Sequence, residues 1–528
     1  MAQNDVSKTF VFVFPDYVGH VNPALPLARA LVQLGHQVHF LCRERMRTPI
    51  EDTGAIFHSD MECEPELFQG REGHGFGALE SLKKEHDIED DHITVALYKL
   101  GNVMCELQLP GVLRLFRMVK PTAVVYCAMC NPEAALAAQL LEVPSLAFIS
   151  FAGPGSFLTL IQQFFSELGL TPEDVERMAM SFQPNVEATQ RLKANYGLDV
   201  GTSGANIKLQ PFGQLNTLAD STALVSTIKE LADPMTAEIS KSYEAENTKF
   251  AYVGPLLDQD GAVRAGHEAT CKDSLVEQVR AARKADRSVV LASMGTVVTS
   301  DDKSLGWNGQ VLGSDGQPEG LTGREICQAA WAGLFDALGD DRGGPLLVVA
   351  VGKHEDALDG LQVPQNAVCV PSFPQVDILR TGVDVFVTHG GQNSFTEAIA
   401  NGVPIVVCPG FGDQKVNSRR AVDLGVGLKV DRPHPVAVGD AEAAAAAYRS
   451  EVARSVLRVF SESAFQAAAM DYAERLRQAG GVAGAVEVIL AVATAGKKMQ
   501  VAEIGNELEK IQVAEAGMRV SQIAGAGA

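Results

Sequence analysis

The stretch HGGQNSFTEAIANG, His389 to Gly402, places an imidazole, two glycines, an amide, a hydroxyl and a carboxylate within nine residues, His389 to Glu397. It follows the apolar run VDVFVT and reads as a buried strand, a sharp glycine turn and a short helix. The free N–H groups at a helix start, with the positive end of the helix dipole, make such a turn a place for phosphate. Gly390 and Gly391 let a ligand come close to the backbone. His389, Asn393 and Ser394 can donate hydrogen bonds, and Glu397, one turn further on, can accept from ribose hydroxyls. The next apolar run, VPIVVC, delivers Asp413 and Gln414 to the same crevice, where they suit sugar hydroxyls. Taken alone, the tetrapeptide SFTE reads first as a capping box, with Ser394 and Glu397 only satisfying orphan amides. The whole constellation is harder to explain as capping.

These groups need a scaffold, and the chain supplies a repeated strand–loop–helix pattern that implies a parallel sheet covered by helices. The first series of apolar runs is TFVFVF, QVHFLC, TAVVYC, VPSLAFIS, TALVSTI and FAYVG. After the first run the sequence predicts a helix with Asn22 as N-cap, Pro23 at its first position and Gly35 at its far end. A second series starts near Arg287 with SVVLASMG, PLLVVAVG, NAVCVPSF, VDVFVTHG, VPIVVCPG and GVGLKV. Two such series predict two doubly wound α/β domains with ligands at the carboxyl ends of their strands.

Bulk properties narrow the function. At 528 residues the chain exceeds one ordinary core. Hydrophobic residues make up 46% and charged residues 21%, a globular balance. The formal charge of −21 excludes a general nucleic-acid or anionic-membrane surface, so an anionic ligand must be held by local dipoles. Nine scattered cysteines do not form a disulfide framework. The N-terminus runs into a strand without signal-peptide features, and GGVAGAVEVILAVATAG, the nearest approach to a membrane span, is short and carries Glu487. The expectation is a soluble, cytoplasmic protein without stable membrane insertion.

The segment from Pro371 to Gly427, PSFPQVDILRTGVDVFVTHGGQNSFTEAIANGVPIVVCPGFGDQKVNSRRAVDLGVG, resembles the signature of the family 1 UDP-glycosyltransferases. That resemblance implies the GT-B fold, two Rossmann-like domains facing a central cleft, and an inverting, metal-independent transfer from a UDP-sugar without a cofactor. It implies that Gln375 bonds the uracil, that His389, Gly391, Asn393 and Ser394 hold the diphosphate, that Glu397 holds the ribose and that Asp413 and Gln414 hold the sugar. LASMGT resembles the family's phosphate loop and adds Ser293, Gly295 and Thr296. Where the family has a tryptophan stacking on uracil this chain has Ser372, with Phe373 beside it as a substitute.

FPDYVGHVNPALPLARAL resembles the family's N-terminal motif, in which the histidine is the general base. With an ordinary pKa of ~6.5, His20 can take a proton from an acceptor hydroxyl. The family's aspartate that orients this base is replaced by Cys127, and Asp16 and Glu133 are nearby in sequence as alternative partners. By the same resemblance, residues 1–250 form the acceptor domain, 251–285 a linker and 286–455 the donor domain. Residues 456–496 are helices packing back toward the first domain, and 497–528 a helical appendage with a frayed tip.

Other signals read as structural. CAMC (Cys127–Cys130) is a C-x-x-C at a strand end, but a zinc site needs two more ligands and no second pair at matching spacing is visible, so burial is the default and no metal site is assigned. DQD (Asp258–Asp260) reads as a turn. No P-loop or dinucleotide fingerprint follows a strand. The expected activity is transfer of a hexose, glucose foremost, to a small lipophilic hydroxylated acceptor. A TDP-deoxysugar donor, or a nucleotide-sugar-binding protein with little catalysis, are the alternatives.

Overall fold

The computed structural model describes residues 7–73, 77–200, 221–266, 272–301, 305–312, 318–340, 343–433 and 441–495. Strands β1 (Thr9–Val13), β2 (Gln37–Cys42), β3 (Ile56–Ser59), β4 (Ala123–Cys127), β5 (Ser145–Ile149), β6 (Thr222–Val225) and β7 (Lys249–Tyr252) form a first sheet. Its order is β3-β2-β1-β4-β5-β6-β7, and every pairing is parallel. Alternation along β1 divides the core. Phe10, Phe12 and Phe14 face the helix Leu25–Gln33, while Val11 and Val13 face the other side, with Leu109, Val112 and Phe116 of the helix Gly101–Val119. Each buried phenylalanine contributes about 1.5–3 kcal/mol.

After β8 (Val289–Ser293) comes a short hairpin, β9 (Val311–Leu312) with β10 (Pro318–Glu319). Then β11 (Leu346–Ala350), β12 (Ala367–Val370), β13 (Val385–Thr388), β14 (Ile405–Val407) and β15 (Gly427–Lys429) complete a second parallel sheet, ordered β12-β11-β8-β13-β14-β15. The two sheets are the two doubly wound units that the sequence predicts. In each, the strand order reverses beside one strand: β1 lies between β2 and β4, and β8 between β11 and β13. Ligand crevices open at such points, outside the carboxyl ends of the strands.

The sequence reading has no strand at Ile56–Ser59, where four residues containing His58 give too short an apolar run. The N-cap expectation also shifts. Asn22 ends a one-turn helix, Val18–Val21, and Ala24 precedes the helix Leu25–Gln33, whose proline is Pro26 and not Pro23. Asn22 is used elsewhere: its Nδ2 donates to Ala265 O at 3.2 Å and its Oδ1 accepts from Ala265 N at 2.9 Å. In the long glycine-rich segment after β8, Trp307 is 1% exposed and stacks on His354, with its Nε1 donating to Asp356.

The segment around DQD is a turn, with Gly261 at φ +74°, and it also straps the halves together. Asp258 accepts from Arg29 of the first half at 2.9 Å, while Arg380 of the second half donates to Asp260 and to Asp258 O at 2.5 Å. The helix Lys272–Lys284 packs under the second sheet through Val276 and Val279.

Ser463–Thr494 has the length and mean hydropathy, 1.4, of a membrane span. It is two helices, Ser463–Gln478 on the second half and Gly481–Ala495 on the first, broken at Gly480 with φ +89°. Ala485, Val486 and Ile489 are buried in the first-sheet core, which accounts for the apolar composition. The tail from Lys497 lies outside the described residues.

Candidate active site

Both reversal points carry the residues singled out by type and spacing. In the second half, β8 ends at Ser293 and β13 at Thr388, which pair in register, and His389 N donates to Ser293 O at 3.3 Å. The glycines on either side of His389 are needed by the imidazole itself. A Cβ on Gly295 (φ +90°) would stand 2.8 Å from the ring, and one on Gly391 would stand 2.6 Å from Nε2. Gly390 (φ +80°) makes the turn, and a Cβ there would lie 2.4 Å from the Val407 side chain. Burial and the nearby Arg432 guanidinium push His389 down to about 4, so its ring is neutral at physiological pH. Thr296 is exposed beyond the turn.

The helix Gln392–Ala400 starts after Gly391, so Ser394 is its third residue and SFTE is not a capping box. Ser394 and Glu397 instead face the neighbouring helix Gln375–Thr381. Gln375 Nε2 donates to Ser394 Oγ at 3.2 Å and to Glu397 Oε2 at 2.6 Å. Glu397, 4% exposed, also accepts from Arg264 of the connecting segment at 2.5 Å. Asp413 Oδ2 accepts from Gln392 N at 2.8 Å, tying two helix starts together. Gln414 Oε1 accepts from Gly410 N at 2.8 Å, so its carbonyl shapes the turn before its own helix. Asn417, fully buried, donates from Nδ2 to Gly390 O at 2.9 Å and braces the glycine turn. Its position within DQKVNS was in view, but only the topology reveals that role.

Phe373, beside Ser372, points into the protein. It is 3% exposed and belongs to the core under the second sheet, with Val279 and Ile378, so its ring is already engaged. A shallow crevice lined by Arg264, Pro374 and Val376 among others borders this corner.

In the first half, His20 sits in the one-turn helix after β1, and β4 ends beside it at Cys127. His20 Nδ1 lies 3.2 Å from Cys127 Sγ and 3.2 Å from Ser150 Oγ. Asp16 is instead held by Arg45, and Glu133 by Asn131 at 3.0 Å. Burial alone would lower the His20 pKa, but the adjacent Cys127 sulfur and the charge of Asp413 reverse this and raise it. Burial opposes ionisation of Cys127, yet hydrogen bonds from Cys130 and His20 hold its pKa well below the usual thiol value. The Cys127 sulfur thus stands against the imidazole at the position where the resemblance puts a carboxylate. Cys130 completes a cluster in which donor atoms of His20, Cys127 and Cys130 lie within 4.8 Å of one another. In the sequence CAMC reads as buried and structural, because its third neighbour, His20, comes from a loop 107 residues away.

The two sides meet. Asn393 Nδ2, at the start of the donor-side helix, donates to Gly19 O at 3.1 Å, one residue from His20, and Asp413 is close enough to influence the imidazole. The arrangement sets a titratable nitrogen against a turn rich in helix-start amides.

Residues 354–445 match the family described as UDP-glucoronosyl and UDP-glucosyl transferase. The chain is similar to YdhE of Bacillus subtilis, described as an uncharacterized UDP-glucosyltransferase, at 23% identity over 420 residues, 78% of this chain and 83% of that protein. Among solved structures it is similar to the glycotransferase of kitacinnamycin, with TM-score 0.60, 19% identity, and coverage of 92% of this chain and 99% of that one. It is also similar to the glycosyltransferase VinC in complex with dTDP, with TM-score 0.55, 16% identity, and coverage of 92% and 100%.

Proposed function

We propose that the chain, which has the fold of the GT-B glycosyltransferases, is a family 1 UDP-glycosyltransferase and moves a hexose, glucose foremost, from a UDP-sugar to a hydroxyl of a small lipophilic acceptor. The observation that carries this reading is the contact between Asn393 and the His20 loop, which brings the base to the donor's turn. Nδ1 of His20 faces Cys127 and Ser150, leaving Nε2 to receive the acceptor's proton. The acceptor oxygen attacks the anomeric carbon as the bond to the diphosphate breaks, UDP leaves with the electron pair, and the configuration inverts. Cys127 acts through His20 as a positioning residue, stabilising the imidazolium as a carboxylate does in a triad.

On the donor side, Gln375 would take the uracil and Glu397 the ribose. The turn around Ser293, Gly295 and Thr296 and the helix start at His389, Gly391, Asn393 and Ser394 would take the diphosphate. Asp413 and Gln414 would take the sugar. Oriented amides stabilise the departing charge electrostatically, which supports a mechanism without a resident metal. The described cysteines are all free thiols, which supports a cytoplasmic setting.

A second reading, transfer from a dTDP-sugar, is favoured by the base corner, where Ser372 replaces a stacking ring and Phe373 is committed to the core. Mass spectrometry of products from UDP-glucose and dTDP-glucose in competition, over a panel of hydroxylated aromatic acceptors, tests both. Adducts from UDP-glucose support the first reading, adducts from dTDP-glucose alone the second, and UDP binding without any adduct would refute transfer.

A further inference from the structure

We propose that His20, Cys127 and Cys130 form a site for a thiophilic divalent cation of the zinc type, and that the bound cation silences the base. One nitrogen and two sulfurs lie within 4.8 Å of one another, with His20 Nδ1 and Cys127 Sγ 3.2 Å apart. Tetrahedral zinc, with bonds of about 2.0–2.1 Å to nitrogen and 2.3 Å to sulfur, holds such donors roughly 3.5–3.8 Å apart, so the three need only small movements. The fold creates the cluster. β4 ends at Cys127, the chain turns so that Asn131 N reaches back to Cys127 O at 3.1 Å, and Cys130 returns beside Cys127. His20 enters from the neighbouring strand's loop, and Ser150 Oγ, 3.2 Å from Nδ1, borders the fourth position.

Two sulfurs and an imidazole select a soft or borderline cation over magnesium or calcium, which prefer oxygen. Coordination releases the thiol protons to solvent and places the metal on His20 Nδ1. The imidazole then carries its hydrogen on Nε2 and has no lone pair left for an acceptor's proton. Silencing therefore rests on His20 being the base, whereas binding does not.

The test titrates Co²⁺ and then Zn²⁺ into the metal-free full chain under a phosphine reductant, reading absorbance and turnover together. The expected result is one equivalent of Co²⁺ with thiolate-to-cobalt charge-transfer absorption, displaced by Zn²⁺. Turnover should fall at least about tenfold, in step with occupancy, and return with EDTA. Cys130→Ala and Cys130→Ser, each compared with its own metal-free rate, should lose most of the absorption and of the inhibition. Absence of the charge-transfer band, or a band unchanged in both variants, would overturn the site. Binding with undiminished turnover would overturn the silencing. A metal-free chain that transfers no sugar would sink the functional reading, while the cobalt spectrum would still decide the site.

Discussion

The two halves solve the same geometric problem with different materials. Each places a turn where the strand order reverses, beside β1 in one and β8 in the other. The first half fills its turn with groups that exchange protons: His20, Cys127 and Cys130, with Ser150 alongside. The second half uses glycines, helix-start amides and an imidazole pushed down to about 4, none of which changes charge near neutrality. The difference is instructive. A strongly acidic chain can receive an anionic donor on fixed dipoles while confining the mobile proton to the opposite wall.

That division can be broken from either side. The largest effect is expected at the glycines. Gly295→Val or Gly391→Val puts carbon where the His389 ring stands and should weaken UDP binding about 100-fold, or roughly 2.7 kcal/mol, by titration calorimetry. Affinity within twofold of the wild type would show that the imidazole's seat is irrelevant to the donor.

Next comes the pair of His20 and Cys127. Because His20 titrates above its ordinary range, turnover should rise with pH through a midpoint above ~6.5. Cys127→Ala should lower maximal turnover about tenfold and move that midpoint down, and Cys127→Asp should restore much of the rate. An unmoved midpoint in Cys127→Ala would remove the thiolate from the mechanism.

A smaller effect belongs to Arg264, whose bond to Glu397 competes with the ribose that the proposed function assigns to that carboxylate. Arg264→Ala should tighten UDP binding several-fold, on the order of 1 kcal/mol. Weaker binding would mean that Arg264 contacts the nucleotide itself.

The smallest effect concerns stability. His389 titrates near 4 in the folded chain and near 6.5 when unfolded, so between these values the unfolded state binds a proton that the native state refuses. Its contribution is present above about 6.5 and is lost as pH falls toward 4, by on the order of 1 kcal/mol for a partly exposed ring. The melting temperature of His389→Gln should decline less over that window than that of the wild type.

How much the sequence disclosed follows the same divide. The glycine turn after β13 was legible because its groups lie in one contiguous run, where period and spacing report directly on strand, turn and helix. Even there Glu397 was ambiguous, since a capping box and a ligand carboxylate look alike until the helix start is fixed at Gln392. The burial of Phe373 is not legible locally, because it is set by the helices beneath the sheet. The resemblance puts Cys127 opposite His20, but no local pattern does, for a related reason. Cys127 reaches His20 only because β4 pairs with β1, a contact spanning 107 residues.

The central claim is that one wall binds the nucleotide and the other moves the proton. It is tested most directly by measuring UDP affinity and sugar transfer side by side in the wild type and in His20→Ala. The account predicts transfer at background with UDP affinity unchanged within about twofold, or 0.4 kcal/mol. Full transfer by His20→Ala, or parallel loss of affinity and transfer, would contradict it.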